Sequence, residues 1–420
     1  MSDKFSWQLT HEIAGVQLAS LYAGVRSARK DDLALFKIAA NSSVAAVFTQ
    51  NRFAAAPVHI CRQKLSAIDT TEAVYLLINA GNANAATGSA GYDSAAACTQ
   101  ALASLTGVKD GQVLPFSTGV IGEPLDHKKI LEVLPKLVDQ LDGSLASWQN
   151  AARAIMTTDT LAKGLSVEIN TNQGPIRIAG IAKGAGMICP NMGTMLSYVT
   201  TDAKISKVDL QKFLIQACHK SFNRITIDGD TSTNDSFVMA ATGASDVDVS
   251  YGTDLGEQFS KALTALSFKL AKMIVLDGEG ATKCVAIKVC AAGSQQECLD
   301  VAYAIAHSPL VKTALFASDP NWGRIVAAVG YAGIEDLDPE KVNIALYPKG
   351  DVENGFDAQK VQIVERGGRA ASYLEEQGQA VFDLPEFTIE VSLGRGSFSE
   401  TLITSDLSHD YVRINAEYRT

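Results

Sequence analysis

The residues best suited to chemistry lie in one window, Lys183-Gly-Ala-Gly-Met-Ile-Cys-Pro-Asn-Met-Gly-Thr194. Glycines at 184, 186 and 193 let the backbone take positive φ or approach other groups closely, and Pro190 biases Cys189 toward extended geometry. Such a loop delivers Thr194 to the start of an apolar strand, Met195 to Val199. A Thr hydroxyl is a poor nucleophile at neutral pH unless a base sits beside it. One solution is for the Thr to begin a chain, so that its own α-amine is the base. That amine ordinarily titrates at about 7.7–8.0, close to the working pH. A mid-chain Thr reaches this state by self-cleavage: Thr194 Oγ attacks the Gly193 carbonyl, an ester forms, and water releases chains covering 1–193 and 194–420. The same Gly, Pro and Asn residues also read as a tight turn that launches a buried strand, and residue types alone leave both readings open.

Helical and strand patterns alternate around this window, so the class is α/β or α+β. Apolar spacing predicts helices over Ser94 to Leu105, with Ser94 as N-cap, Asp126 to Leu141, Leu145 to Met156, Ser206 to Phe222, Leu255 to Met273 and Gln295 to His307. Short apolar or alternating runs predict strands at Ser43 to Thr49, Ala73 to Ile78, Ile176 to Ile181, Phe237 to Ala241, Cys284 to Val289, Val342 to Leu346 and Phe387 to Leu393. Several should end at Gly-rich turns: Asn79 to Asn82, Asp277 to Gly280, and Gly394 to Gly396. Pro339 to Gly378 is the most polar stretch, expected as surface loops around one or two strands.

The chain has 420 residues, 47% hydrophobic and 20% charged, which excludes a disordered or collagen-like protein. Its length suits two or three folding units, but no sequence boundary separates them, so intertwined lobes are expected. A net charge of −10 argues against nucleic acid or an anionic membrane as the main partner. The first residues carry no basic-then-apolar leader and no apolar run reaches the roughly 18 residues of a membrane span, so a cytoplasmic location is expected. Seven scattered cysteines with no CxxC pair, and six dispersed histidines, predict buried thiols and no metal site. Gly278 to Lys283 lacks P-loop spacing, and Gly394 to Ser399 lacks the helix that a dinucleotide fingerprint needs.

The window Lys183 to Leu196 resembles the processing site of the ornithine acetyltransferases, also called arginine-biosynthesis glutamate N-acetyltransferases. Asn79 to Gly88 (NAGNANAATG), Phe116 to Gly119 (FSTG), Met156 to Thr160 (MTTDT), Asp228 to Ser236 (DGDTSTNDS), Asp277 to Lys283 (DGEGATK) and Asp319 to Ile325 (DPNWGRI) resemble that family's blocks and occur in its order. The resemblance covers nearly the whole chain. One departure is Gly193, where the family usually has Ala.

The resemblance implies a layered αββα sandwich of the DmpA-like kind, α/β (α+β) in class and built from two self-cleaved chains that assemble as a dimer of heterodimers. It implies that Thr194 is the nucleophile, that Gly193–Thr194 is the cleaved bond, and that Thr118 and Gly119 form the oxyanion hole. Thr157, Lys183, Thr194, Glu279, Asn415 and Thr420 match substrate-contacting positions. Lys183 suits a substrate carboxylate, and Glu279 suits an amine or a proton transfer. The implied reaction is ping-pong: acetyl passes from N2-acetyl-L-ornithine to Thr194 and then to L-glutamate, with no cofactor and with acetyl-CoA as an allowed second donor. Two rivals remain open. An N-terminal-nucleophile amidohydrolase or aminopeptidase would release the acyl group to water, and a binding protein would carry an inert turn at Thr194.

Overall fold

The computed structural model describes residues 7–189, 195–348 and 360–417. In chain order the first elements are β1 (Val16–Leu21), β2 (Leu33–Ile38), β3 (Ser43–Phe48), α1 (Ala56–Leu65), β4 (Val74–Asn82) and α2 (Gly88–Thr106). They are followed by β5 (Val113–Val120), α3 (His127–Asp139), α4 (Leu145–Ala154), β6 (Lys163–Thr171), β7 (Gly174–Lys183), β8 (Leu196–Thr201) and α5 (Lys207–His219). Next come β9 (Ile225–Thr226), β10 (Ser236–Ala241), α6 (Asp254–Leu276), β11 (Cys284–Ala292), α7 (Gln295–Ala306), α8 (Pro309–Phe316) and α9 (Trp322–Gly330). The last are β12 (Asn343–Tyr347), β13 (Val361–Glu365), β14 (Gly368–Arg369), α10 (Glu375–Phe382), β15 (Glu386–Ser392), β16 (Phe398–Ser405) and α11 (His409–Ala416).

Local chemistry explains many of these boundaries. Ser206 caps α5 by accepting from the Asp209 N–H, and Ser294 caps α7 by accepting from the Glu297 N–H. Gly107, in the left-handed region, stops α2 by donating to the Ala103 carbonyl. In α3 the buried residues Ile130, Leu134 and Leu137 recur at helical spacing.

The chain falls into two compact units, 1–223 with 230–274, and 224–229 with 275–420. The first unit holds a four-stranded sheet, β1-β2-β4-β5, and a five-stranded sheet, β3-β10-β8-β7-β6. Their inner faces pack together through Phe36, Phe116, Trp148 and Tyr198, with the Tyr198 ring 5.2 Å from Phe36 and 5.3 Å from Phe116. On the outer face of the smaller sheet, Leu102 of α2 and Ile130, Leu134 and Leu137 of α3 cover Leu33, Leu35 and Leu77. On the outer face of the larger sheet, α5 and α6 meet through Phe213 and Phe259 at 5.1 Å, and Leu270 of α6 packs over Gly180 of β7. The layers are therefore α, β, β, α, as the resemblance implies. β8 lies between β7 and β10 and is buried at all six positions.

The second unit is a seven-stranded mixed sheet, β14-β13-β12-β15-β11-β16-β9. Its core joins Val285, Ile287 and Ile389 of the strands to Val301 and Ile305 of α7, Leu315 of α8, Ile325 of α9 and Phe382 of α10.

Three boundaries differ from the sequence expectation. Asn79 to Asn82 is not a turn that ends a strand; it belongs to β4 and pairs with β5. Asp277 to Gly280 follows the helix α6 rather than a strand. Ser94 is not an N-cap, because α2 already begins at Gly88, where Gly91 lets the helix sit against Thr87 and Asn84. The polar stretch holds β12, β13 and β14 as well as loops, with 349–359 outside the described residues. The Gly193–Thr194 junction also lies outside them; the described strands on either side, β7 and β8, are antiparallel neighbours in one sheet. Five of the seven cysteines are buried. No helix among the described residues is long and apolar enough to cross a membrane.

Candidate active site

In the first unit β4 and β5 run parallel, with Asn79 beside Ser117 and Gly81 beside Gly119. Gly119 has φ of +132°, and a Cβ there would stand 2.3 Å from the Gly81 carbonyl carbon. Only glycine fits this approach. Ser117 Oγ donates to Asn79 Oδ1 at 2.6 Å, and Asn79 Nδ2 donates to the Asn82 carbonyl at 2.9 Å. Asn234, just before β10 of the other sheet, donates to the carbonyls of Ala83 at 2.6 Å and Ser117 at 2.8 Å. These amide bonds hold the strand ends on either side of Thr118, which is itself buried.

Lys183 is the last residue of β7 and is buried, its Nζ donating to Thr157 Oγ1 at 3.1 Å. Asp159 organises the segment around both. Its carboxylate accepts from Lys163 Nζ at 2.7 Å, from the Gly184 N–H at 2.7 Å and from the Thr157 N–H at 3.1 Å. Burial alone would push this carboxyl up, but the ammonium groups of Lys163 and Lys183 and the Gly184 N–H outweigh it. Asp159 is thereby held well below the usual carboxylate range.

Thr118 and Lys183 converge on one small cavity of about 30 Å³, which Met195, Leu196, Ser232 and Asp235 also line. Asp235 is 2% exposed, and its Oδ2 has no hydrogen-bond partner among the described residues. Burial pushes its carboxyl well up, against the opposing pull of Ser232, Lys183 and Thr49. A larger hollow of about 590 Å³ opens beside Thr157 and Asp159, with Arg26 and Arg153 on its walls. Its size is that of a small-molecule site.

In the second unit Glu279 is buried and accepts from Asn415 Nδ2 at 2.7 Å. Asn415 is carried by α11, which opens at Ser408, whose side chain accepts from the Tyr411 N–H. The Tyr411 hydroxyl donates to Asp228 Oδ2 at 3.0 Å. Gly280, at φ of +66°, lets this helix start come close, since a Cβ there would meet Ser408 Oγ and Tyr411 N at 2.5 Å.

The structure thus brings together Thr118, Gly119, Thr157 and Lys183 in one unit and pairs Glu279 with Asn415 in the other. Gly193, Thr194 and Thr420 lie outside the described residues. Sequence reasoning gave no role to Asp159, Asn234 or Asp235. The signal was their presence in the MTTDT and DGDTSTNDS blocks, where a short run of polar residues breaks two apolar elements. Among the described residues no group of His, Cys, Asp and Glu is placed to hold a metal ion.

Comparison with known proteins covers the stretch of chain that holds these blocks. The profile of the ArgJ family matches residues 17–420. The arginine biosynthesis bifunctional protein ArgJ of Pseudomonas fluorescens is 49% identical over 98% of this chain and 97% of its own. The protein of the same name from Neisseria meningitidis is 48% identical over 100% of this chain and 99% of its own. A crystallised chain of the Bacillus halodurans protein is 37% identical, covering 52% of this chain and 96% of its own, with a TM-score of 0.47. Likeness of this extent, running through the strands that carry Thr118 and Lys183 and on through the Glu279–Asn415 pair, makes the chain a member of the ArgJ family.

Proposed function

We propose that this protein is an acetyltransferase of arginine biosynthesis that moves acetyl from N2-acetyl-L-ornithine to L-glutamate. In this reading the chain cleaves itself at Gly193–Thr194, giving chains 1–193 and 194–420. The freed α-amine of Thr194 takes the proton from its own Oγ as that oxygen attacks the acetyl carbonyl. The Thr118 hydroxyl and the Gly119 N–H receive the oxyanion; one such donor is worth about 2.7–4 kcal/mol in the transition state. Ornithine leaves with the proton, an acetyl-Thr194 ester remains, and the amine of glutamate attacks it. Substrate contact is assigned to Thr157, Lys183, Glu279, Asn415 and Thr420. Both substrates share an α-amino acid frame, so one set of polar contacts can serve both half-reactions. Acetyl-CoA is a second donor in the bifunctional form of this reading, no cofactor takes part, and the processed chains work in the cytoplasm as a dimer of heterodimers.

The observation that carries the reading is the family membership through residues 17–420, which takes in every block named above. The convergence of Thr118 and Lys183 on one cavity with Met195 and Leu196, the residues that follow the proposed nucleophile, supports it. The test is N-terminal sequencing of the purified protein after a denaturing gel, together with the T194A variant. The expected result is two chains, the second starting at Thr194, and for T194A one intact chain without transfer activity. A single intact chain with full activity overturns the mechanism. Partition of the acetyl-enzyme between glutamate and water separates transfer from amidohydrolase chemistry.

A further inference from the structure

Of the residues around the hollow of about 590 Å³, only Thr157 has been assigned a substrate contact. Three segments of the first unit build its walls. α4 turns Trp148, Ala151 and Ala152 into the core, so Gln149, Asn150 and Arg153, one helical turn apart, line the hollow from the other face. The loop between β1 and β2 supplies Arg26 and Lys30. The buried Asp32 fixes that loop, its carboxylate accepting from the Ala23 and Val25 N–H groups at 2.7 Å and from the Arg26 N–H at 3.0 Å. The third segment, Met156 to Ala162, carries Thr157 and the exposed Leu161.

The walls hold an excess of positive charge. Arg26, Lys30 and Arg153 stand against Asp31 and Asp159, and Asp159 is already paired with Lys163 at 2.7 Å. Asp31 accepts from the Ser20 hydroxyl at 2.9 Å. The side chains of Lys30 and Arg153 are exposed and make no hydrogen bond or ion pair among the described residues. Arg26 is half-buried. Its Nη2 donates to the carbonyls of Asp31 and Ala154 at 2.8 Å each, tying the loop to the end of α4, and its buried Nε has no partner among the described residues. Burial pushes the guanidinium down, against the pull of Asp32, Asp31 and Asp159, so an anion beside it answers a charge that the fold leaves short of compensation. Arg26 also borders the proposed oxyanion turn. A Cβ on Gly81 would stand 2.7 Å from Arg26 Cβ, and Gly81 lies beside Gly119. On the same wall Thr157 accepts from Lys183, which lines the smaller cavity.

We propose that this hollow binds the phosphate groups of a phosphorylated acyl donor, an acyl-coenzyme A thioester, an inference that rests on the acetyl-transfer reading above. An amino-acid carboxylate is satisfied by a single cation, and Lys183 is assigned to it. Three cations drawn from a loop and a helix suit a ligand with several anionic oxygens: the Arg forks match phosphate geometry, and Lys adds a point charge. Trp7, Met156 and Leu161 offer apolar wall to the uncharged part of such a ligand. The volume lies within the range of sites that enclose drug-sized molecules.

Isothermal titration of the purified protein with desulfo-coenzyme A, which keeps the phosphates and lacks the reactive sulfur, tests the proposal for wild type, R153E, K30E/R153E and R153K. Losing a hydrogen bond to a charged group costs at least about tenfold in affinity. R153E should therefore bind at least about tenfold more weakly than wild type, and K30E/R153E more weakly still, with R153K nearer wild type. Both residues are exposed, so these variants should melt with wild type. Pantetheine, the same arm without phosphates, should not distinguish wild type from R153E, and added pyrophosphate should displace desulfo-coenzyme A from wild type. Desulfo-coenzyme A that fails to bind wild type, or binds R153E as tightly, overturns the proposal. So does R153E weakening L-ornithine instead, since an amino-acid carboxylate then occupies the hollow. The titration needs no turnover, so acetyl transfer from N2-acetyl-L-ornithine to glutamate, assayed on the same wild-type preparation, separates the two readings. Its absence overturns the function proposed above; its presence without desulfo-coenzyme A binding overturns this inference alone.

Discussion

Replacing Asp159 with Ala tests how the fold holds Lys183 in place. The Asp159 and Lys163 side chains are both 0% exposed, with Nζ 2.7 Å from Oδ1. The same carboxylate accepts from the Gly184 and Thr157 N–H groups, one beside Lys183 and the other on the residue that Lys183 bonds. D159A takes the carboxylate away from a buried ammonium and from two backbone donors. Removing one partner of a buried ion pair costs about 3–5 kcal/mol. For units of this size each kcal/mol lowers Tm by about 2–4 °C. Urea unfolding of wild type, D159A, K163M and the double variant measures the cost and closes a double-mutant cycle. D159A/K163M should recover part of the loss, because no uncompensated Lys163 ammonium is left, while Lys183 and the Gly184 and Thr157 N–H groups still lack the carboxylate. The pH dependence has a definite sign. The folded Asp159 carboxyl is held below its ordinary value, so its stabilisation is complete above the unfolded value of about 3.9 and drains away as pH falls below it. The gap between wild type and D159A should therefore narrow below about pH 4. A D159A chain within about 1 kcal/mol of wild type at pH 7, or a double variant less stable than D159A, would refute this account.

T118V keeps the side-chain shape and removes the hydroxyl; kcat for acetyl transfer should fall about 10²–10³-fold with little change in melting, measured by transfer assay beside a thermal scan. G119A forces a Cβ at a φ of +132° and against the Gly81 backbone, so urea unfolding should show a loss of at least about 2 kcal/mol. In the second unit the Lys312 amine donates to Thr404 Oγ1 and the Ser405 carbonyl, and burial, against the pull of Asp406 and Asp228, pushes it down to about 8. The unfolded chain then binds the extra proton between about pH 8 and 10.5, so stability should rise across that window, with the cost fully present below it. K312M should abolish this rise in urea titrations from pH 7 to 10.5.

Elements with local signals were legible in the sequence. α5 and α7 follow directly from Ser caps and helical apolar spacing, and β11 from an apolar run interrupted only by Lys288. β5 escaped because Pro115 and Gly119 look like turn residues, yet its burial and its pairing with β4 make it a strand. The end of β4 misled for the same reason, since Asn79 to Asn82 has turn chemistry but lies in a ladder. Residues 224–229 belong to the second unit because β9 pairs with β16, a partner far along the chain that no local pattern announces. Of the candidate site, the motif blocks supplied Thr118, Gly119, Thr157, Lys183 and Glu279, and the resemblance beyond the blocks supplied Asn415. They did not supply the residues that hold these in place.

The sequence by itself determined the family, through co-linear blocks, and the αββα class that the family implies. It named Thr194 as the residue to question. Only the tertiary structure decided what the buried acids of the site are. Asp159 and Asp235 are the same side chain in two short polar motifs. One faces Lys163, Lys183 and the Gly184 N–H and is held ionised; the other is buried with too little compensation and is pushed toward its protonated form. Protonation follows from what surrounds a carboxyl in space, and those surroundings come from strands far apart in the chain.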